Sequence, residues 1–174
     1  ARFGVTRSPW NVAHTSGGSS GGAAALVAAG VVPVAHASDG GGSIRVPSAC
    51  TGLVGLKLSR GRIPFSPGAS EPWYGFVVDH AVTRSVRDSA LLLDLTHGPD
   101  IQAPYGARPP VGTFLQAASR DPGKLTLAYY RRSPLGLEIS RETQAAMDTA
   151  ITLAREGGHS VEEIDLPSIN RDFM

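Results

Sequence analysis

Apolar positions in this chain fall into short blocks separated by glycine, serine and proline, and their spacing predicts a sequence of compact elements. Ala23 to Gly30 (AAALVAAG) combines strong helix formers with a glycine stop signal, so it reads as a buried helix. Val31 to Ala37 is a short β-branched run that reads as a buried strand. From Ser85 to His97 the pattern is that of a helix. Ser85 stands at its start with Asp88 three residues on, Ala90-Leu91-Leu92-Leu93 supply the buried face, and Gly98-Pro99 ends it. Pro104 to Pro110 is proline-rich and predicts a loop. Leu125 to Tyr130 predicts a strand, Ser140 to Glu156 a helix with Ser140 as N-cap and Gly157 as stop, and Val161 to Leu166 a further strand. These last three form a βαβ unit, for which parallel pairing and a right-handed crossover are expected. The fold class is therefore α/β, with no internal repeat.

Two glycine-wrapped serine clusters flank the first helix and strand: Ser16-Gly17-Gly18-Ser19-Ser20-Gly21-Gly22 and Ser38-Asp39-Gly40-Gly41-Gly42-Ser43. Glycine at this density lets a backbone approach another group closely, because no Cβ intervenes. Flexible linkers share the composition. They do not alternate with core elements, and a site is the better reading. Gly17 to Gly21 fits the nucleophile-elbow string G-x-S-x-G, but that string needs a preceding apolar strand and Asn11 to Thr15 is polar. A phosphate loop fails because Ala23 follows Gly22 where lysine is required, and a dinucleotide fingerprint fails because its third glycine falls on Arg45. His14, His36, His80, His97 and His159 are too widely spaced for a metal motif and are expected to be surface or packing residues.

Composition narrows the partners. At 174 residues the chain can bury a real core as one domain. Sixteen Lys+Arg against 15 Asp+Glu leave a formal charge of +1, and Arg131-Arg132 is too short a basic run to suggest nucleic acid. Neither a membrane nor an acidic partner is favoured. The longest apolar stretch, Ala23 to Ala37, is interrupted by Gly30 and Pro33 and is too short to span a bilayer. The first residues lack the apolar region of a signal peptide, and the absence of an initiating methionine suggests a start inside a longer protein. The single cysteine, Cys50, excludes an internal disulfide and fits a reducing, cytoplasmic setting; its neighbours predict a small core residue rather than a reactive thiol.

The strings GGSSGG at 17–22, DGGGSIRVP at 39–47 and GLVGLK at 52–57 together resemble the signature of the amidase signature family of serine hydrolases. Weaker resemblance continues through TRSVRD at 83–88 and GHSV at 158–161, and the wording of 34–42 looks most like the branch containing hydrolases of cyclic nylon oligomers (6-aminohexanoate cyclic dimer). The resemblance implies a mixed sheet covered by helices, of which this chain would be the central part of a single domain. It implies Ser43 as nucleophile forming an acyl-enzyme, and Ser19, after a cis peptide from Gly18, as the relay to a lysine base. It further implies Gly40, Gly41 and Gly42, with the Ser43 N–H, as an oxyanion hole, and Asp39, Arg45 and Ser20 as loop supports. No metal or organic cofactor is implied. The expected partner is a small linear or cyclic amide, with a homodimer one compatible assembly. The family's lysine lies upstream of both serines. Lys57 belongs to the GLK stretch and Lys124 to an apparent exposed turn, so the fragment alone is expected to be inactive. Two other readings remain: the glutaminase subunit of a tRNA-dependent amidotransferase, disfavoured by Val46 where a polar residue is usual, and a non-catalytic scaffold. Trp73, Tyr74 and Phe76 are candidate pocket residues, for which a core role is the stronger expectation.

Overall fold

A computed structural model describes residues 4–68, 71–133 and 135–165. They form two compact units, divided after Arg120. In the first, helix α1 (Gly21–Ala28) leads to strand β1 (Val34–Asp39), helix α2 (Arg45–Thr51) and the short strand β2 (Val54–Gly55). A 3-10 turn (Pro72–Gly75), strand β3 (Val78–Thr83), and helices α3 (Val86–Thr96) and α4 (Phe114–Ala118) follow. The second unit contains β4 (Thr126–Tyr129), α5 (Arg141–Glu156) and β5 (Ser160–Glu163).

Most of the expected elements are present with shifted ends. Helix α1 begins at Gly21 and is closed by Gly30 at φ +75°, with the Gly30 N–H bonded to Val27 O and the Val31 N–H to Leu26 O. That closure uses Val31, and Pro33 has no N–H, so the strand starts at Val34 rather than Val31. Ser85 caps α3 by accepting from the Asp88 N–H at 3.1 Å, as its spacing predicts. Residues 104–110 form a loop. The βαβ unit has the expected parallel pairing, Thr126 opposite Ser160 through Tyr129 opposite Glu163, and Ser140 caps α5 through the Thr143 N–H. Leu166, the expected end of the last strand, lies outside the described residues; β5 ends at Glu163.

Two elements escape the apolar pattern. Helix α2 contains Pro47 at its third residue, where an N–H has no intrahelical partner to lose, and it stops at Gly52 in the left-handed region, φ +69°. Strand β3 is the centre of a three-stranded antiparallel sheet of order β1-β3-β2, yet its string VDHAVT carries Asp and His. His80 is buried, and burial pushes its imidazole pKa down, so it works as a neutral group sharing a 2.8 Å hydrogen bond with Ser89 of α3. The other histidines do lie at or near the surface or pack locally: His36 sits 3.4 Å from Asp79, His97 meets Phe114 edge-on, and His159 accepts from the Leu125 N–H.

Ala24, Val27, Ala37, Ile44 and Val82 form the core of the first unit, so α1, β1, β3 and the start of α2 share one apolar centre. Cys50 departs from expectation: it is exposed, because α2 turns Pro47, Ser48 and Thr51 inward and places residue 50 outside that face. The join between α2 and β2 is tight. A Cβ on Gly55 would stand 3.1 Å from the Ile44 carbonyl oxygen and would overlap the Ser48 side chain, whose buried hydroxyl has no hydrogen-bond partner among the described residues. Gly55→Ala is expected to lower unfolding free energy by about 1–3 kcal/mol in a denaturant titration. Ser48→Ala, which removes an unsatisfied buried hydroxyl, is expected to leave stability equal or higher; the opposite order of the two variants would contradict this packing.

Candidate active site

The two serine clusters meet. The Ser20 N–H donates to the Ser43 carbonyl at 3.3 Å and the Ser20 hydroxyl to the Ser38 carbonyl at 3.4 Å, so loop 16–22 is stitched to the loop that follows β1. The first loop is also seated on α2. Gly17 has φ +73°, and a Cβ there would lie 3.0 Å from Pro47 Cα and 3.2 Å from Cys50 Sγ. Ser16 is fully buried beneath it and donates to the Thr6 carbonyl at 3.4 Å. The Gly18–Ser19 peptide is cis, at the position the sequence resemblance implies. Ser19 is exposed and Ser43 half-buried.

Asp39 organises the second loop. Its side chain is 0% exposed and accepts from the Gly42 N–H at 2.7 Å, the Ile44 and Arg45 N–H groups at 3.2 Å each, and the Arg45 guanidinium at 3.0 Å through both Nε and Nη2. Lys57 Nζ lies 3.6 Å from the same carboxylate. Burial, the largest influence, acts to raise the Asp39 pKa; the Arg45 side chain and the three backbone donors outweigh it and hold the carboxyl well below the usual carboxylate range. Gly42 adopts φ +119°, a conformation that favours glycine, and its carbonyl accepts from the Val46 N–H at 2.7 Å. The Gly42 N–H is thus engaged by Asp39. Of the amides in the glycine run, those of Gly40 and Gly41 are not among Asp39's donors.

Lys57 holds a position that its sequence setting does not reveal. Its Nζ donates to the Asp39 carbonyl at 2.5 Å and the Phe76 carbonyl at 2.7 Å, tying the end of β1 to the segment before β3. Lys124 stands exposed after a turn in which Asp121 accepts from the Gly123 N–H at 2.8 Å, as expected. The aromatic residues overturn the expected core role. Trp73, Tyr74 and Phe76 are 70%, 88% and 63% exposed, because the turn that carries them points away from the sheet core. Trp73 instead lies against the glycine loop: a Cβ on Gly40 would be 3.0 Å from its Cε3 and Cζ3 atoms. Three aromatics within four residues, ahead of a strand, were the available signal. Among the described residues no group of three His, Cys, Asp or Glu is placed to hold a metal ion, and no helix is long and apolar enough to cross a membrane.

The family model described as Amidase matches residues 1–172. A Mycobacterium tuberculosis protein named "Putative amidase AmiB2" is 47% identical over 161 residues, covering 91% of this chain and 33% of the relative. A bacterial aryl acylamidase of the amidase signature family is similar in structure with a TM-score of 0.81 and 37% identity, covering 94% of this chain and 33% of that one. The 6-aminohexanoate cyclic dimer hydrolase in complex with substrate gives a TM-score of 0.87 at 36% identity, covering 93% and 34%. The chain thus spans about a third of the length of the curated relatives it matches.

The Asp39 carboxyl titrates near 3.9 when unfolded and lower when folded, so the stability it contributes is complete above about pH 5 and is lost progressively as pH falls through the unfolded and then the folded value. Asp39→Asn is expected to cost about 1–3 kcal/mol at pH 7, since the amide nitrogen cannot accept from the N–H groups that a carboxylate oxygen receives there. Urea midpoints between pH 6 and pH 3 should fall less steeply in the variant than in the parent. A residual slope is expected from Asp100, whose carboxyl the Ser66 hydroxyl and the Phe65 N–H, foremost, hold down to about 2.

Proposed function

This chain belongs to the amidase family, and on that premise we propose that it carries the nucleophile and relay serines of an amide-bond hydrolase that works through an acyl-enzyme. The observation that supports this reading most directly is the junction at Ser20, which brings the Ser19 and Ser43 loops together through the Ser43 and Ser38 carbonyls. Ser43 attacks the amide carbonyl carbon, its proton passing to Ser19 and on to a lysine. Collapse of the tetrahedral intermediate expels the amine, which takes up that proton. Water then attacks the ester by the same route and releases the acid.

The oxyanion is received by backbone N–H groups. With the Gly42 N–H committed to Asp39, the donors assigned here are Gly40, Gly41 and Ser43; each missing donor would cost about 3 kcal/mol in the barrier. Asp39, Arg45 and Ser20 hold the loop without touching substrate. Lys57 is not the base. Its ammonium already donates to the Asp39 and Phe76 carbonyls beside the Asp39 carboxylate and is occupied in holding the loop, and Lys124 is exposed to solvent. The base is therefore a lysine outside these 174 residues, and the substrate is a small linear or cyclic amide.

Ser43→Ala in the full-length enzyme is expected to abolish both amide turnover and labelling by a fluorophosphonate. Ser19→Ala is expected to reduce turnover by about 10²–10⁴-fold, the size of a lost proton-transfer step. The 174-residue chain alone should show no turnover above background. Hydrolysis of an aryl amide by that chain, removed by Ser43→Ala, would falsify the assignment of the base to a residue outside it.

A further inference from the structure

We infer that the turn Pro72–Gly75 forms a specificity-determining wall of the proposed active site, with Trp73 receiving a flat aromatic or alicyclic group attached next to the scissile bond. This rests on the proposed role of Ser43 and names a substrate class for it. Three independent features support the assignment. First, the Trp73 ring lies against Gly40, one of the proposed oxyanion donors, so closely that a Cβ at residue 40 would stand 3.0 Å from it. A group bound at the Ser43 carbonyl site therefore has an indole within reach. Second, Trp73 and Tyr74 adopt φ values of +50° and +56°, a region that bulky side chains rarely enter and that surrounding contacts must enforce. Third, those contacts are present. Arg60 Nε donates to the Gly75 carbonyl at 3.1 Å, the Phe76 N–H donates to the Trp73 carbonyl at 3.1 Å, and Lys57 grips the Phe76 carbonyl while its other bond holds Asp39.

Arg60 also lies 5.8 Å from the ring centres of both Phe76 and Tyr105. The rim of the turn is thus braced by cation-π contact as well as by backbone bonds. A fixed aromatic face beside a carbonyl-binding loop favours ligands with their own flat apolar surface, because both partners lose little conformational freedom on stacking. Small aliphatic amides gain nothing from it. Aryl amides and compact cyclic amides do.

The test uses two fluorophosphonates, one bearing a phenyl and one an ethyl substituent, and reads the second-order rate of Ser43 labelling in the full-length enzyme. The phenyl probe is expected to react faster in the parent. Trp73→Ala should slow it about tenfold while leaving the ethyl probe within about twofold, and Trp73→Phe should restore most of the phenyl rate. Equal slowing of both probes, no slowing of either, or no phenyl preference in the parent would overturn the aromatic wall. Failure of both probes to label Ser43 would instead overturn the proposed function on which it rests.

Discussion

A single buried carboxylate sets the geometry on which the rest depends. Asp39 ends β1 inside the protein, and an anion there is tolerated only when fully paired. Its partners are supplied by the next six residues. The chain folds back so that the Gly42, Ile44 and Arg45 amides and the Arg45 guanidinium all converge on it. This return fixes the glycine run as a loop, holds Ser43 between that run and α2, and starts the helix. Helix α2 then provides, at Pro47 and Cys50, the surface on which Gly17 sits. The position of the Ser19 loop is in this sense a downstream consequence of one neutralised acid.

Where sequence and structure agree, the signals were local. Gly30 and Ser85 mark helix ends because capping involves residues only three to five apart, and the βαβ unit is legible because its three elements are consecutive in the chain and each carries its own local pattern. Both serine clusters were legible for a similar reason, glycine density being a property of a short window. What escaped detection depended on distant partners. Strand β3 carries Asp79 and His80 in a central position, and the hydrogen bond to the Ser89 hydroxyl on α3 makes a buried histidine acceptable there. Helix α2 was hidden by Pro47, whose harmlessness follows from its place in the first turn.

The same distinction explains Lys57 and Trp73. A lysine between Leu56 and Leu58 gives no hint that its ammonium will bridge two carbonyls nineteen residues and eighteen residues away in the chain. Three clustered aromatics ordinarily announce a core. Here the left-handed backbone of the turn carries them out of it, and the glycine loop rather than the sheet receives the indole. Cys50, likewise surrounded by small residues in sequence, faces outward because helical phase, and not local hydrophobicity, decides which side of α2 is covered.

The pairing around Asp39 also has an electrostatic consequence. One carboxylate is flanked by two cations, Arg45 at 3.0 Å and Lys57 at 3.6 Å. The three formal charges sum to +1, and because the Asp39 side chain is 0% exposed and that of Arg45 52%, the cluster turns a cation rather than an anion toward solvent. On the proposed reading, negative charge developing on a carbonyl oxygen near Ser43 would arise beside this cluster, whose groups also hold the backbone.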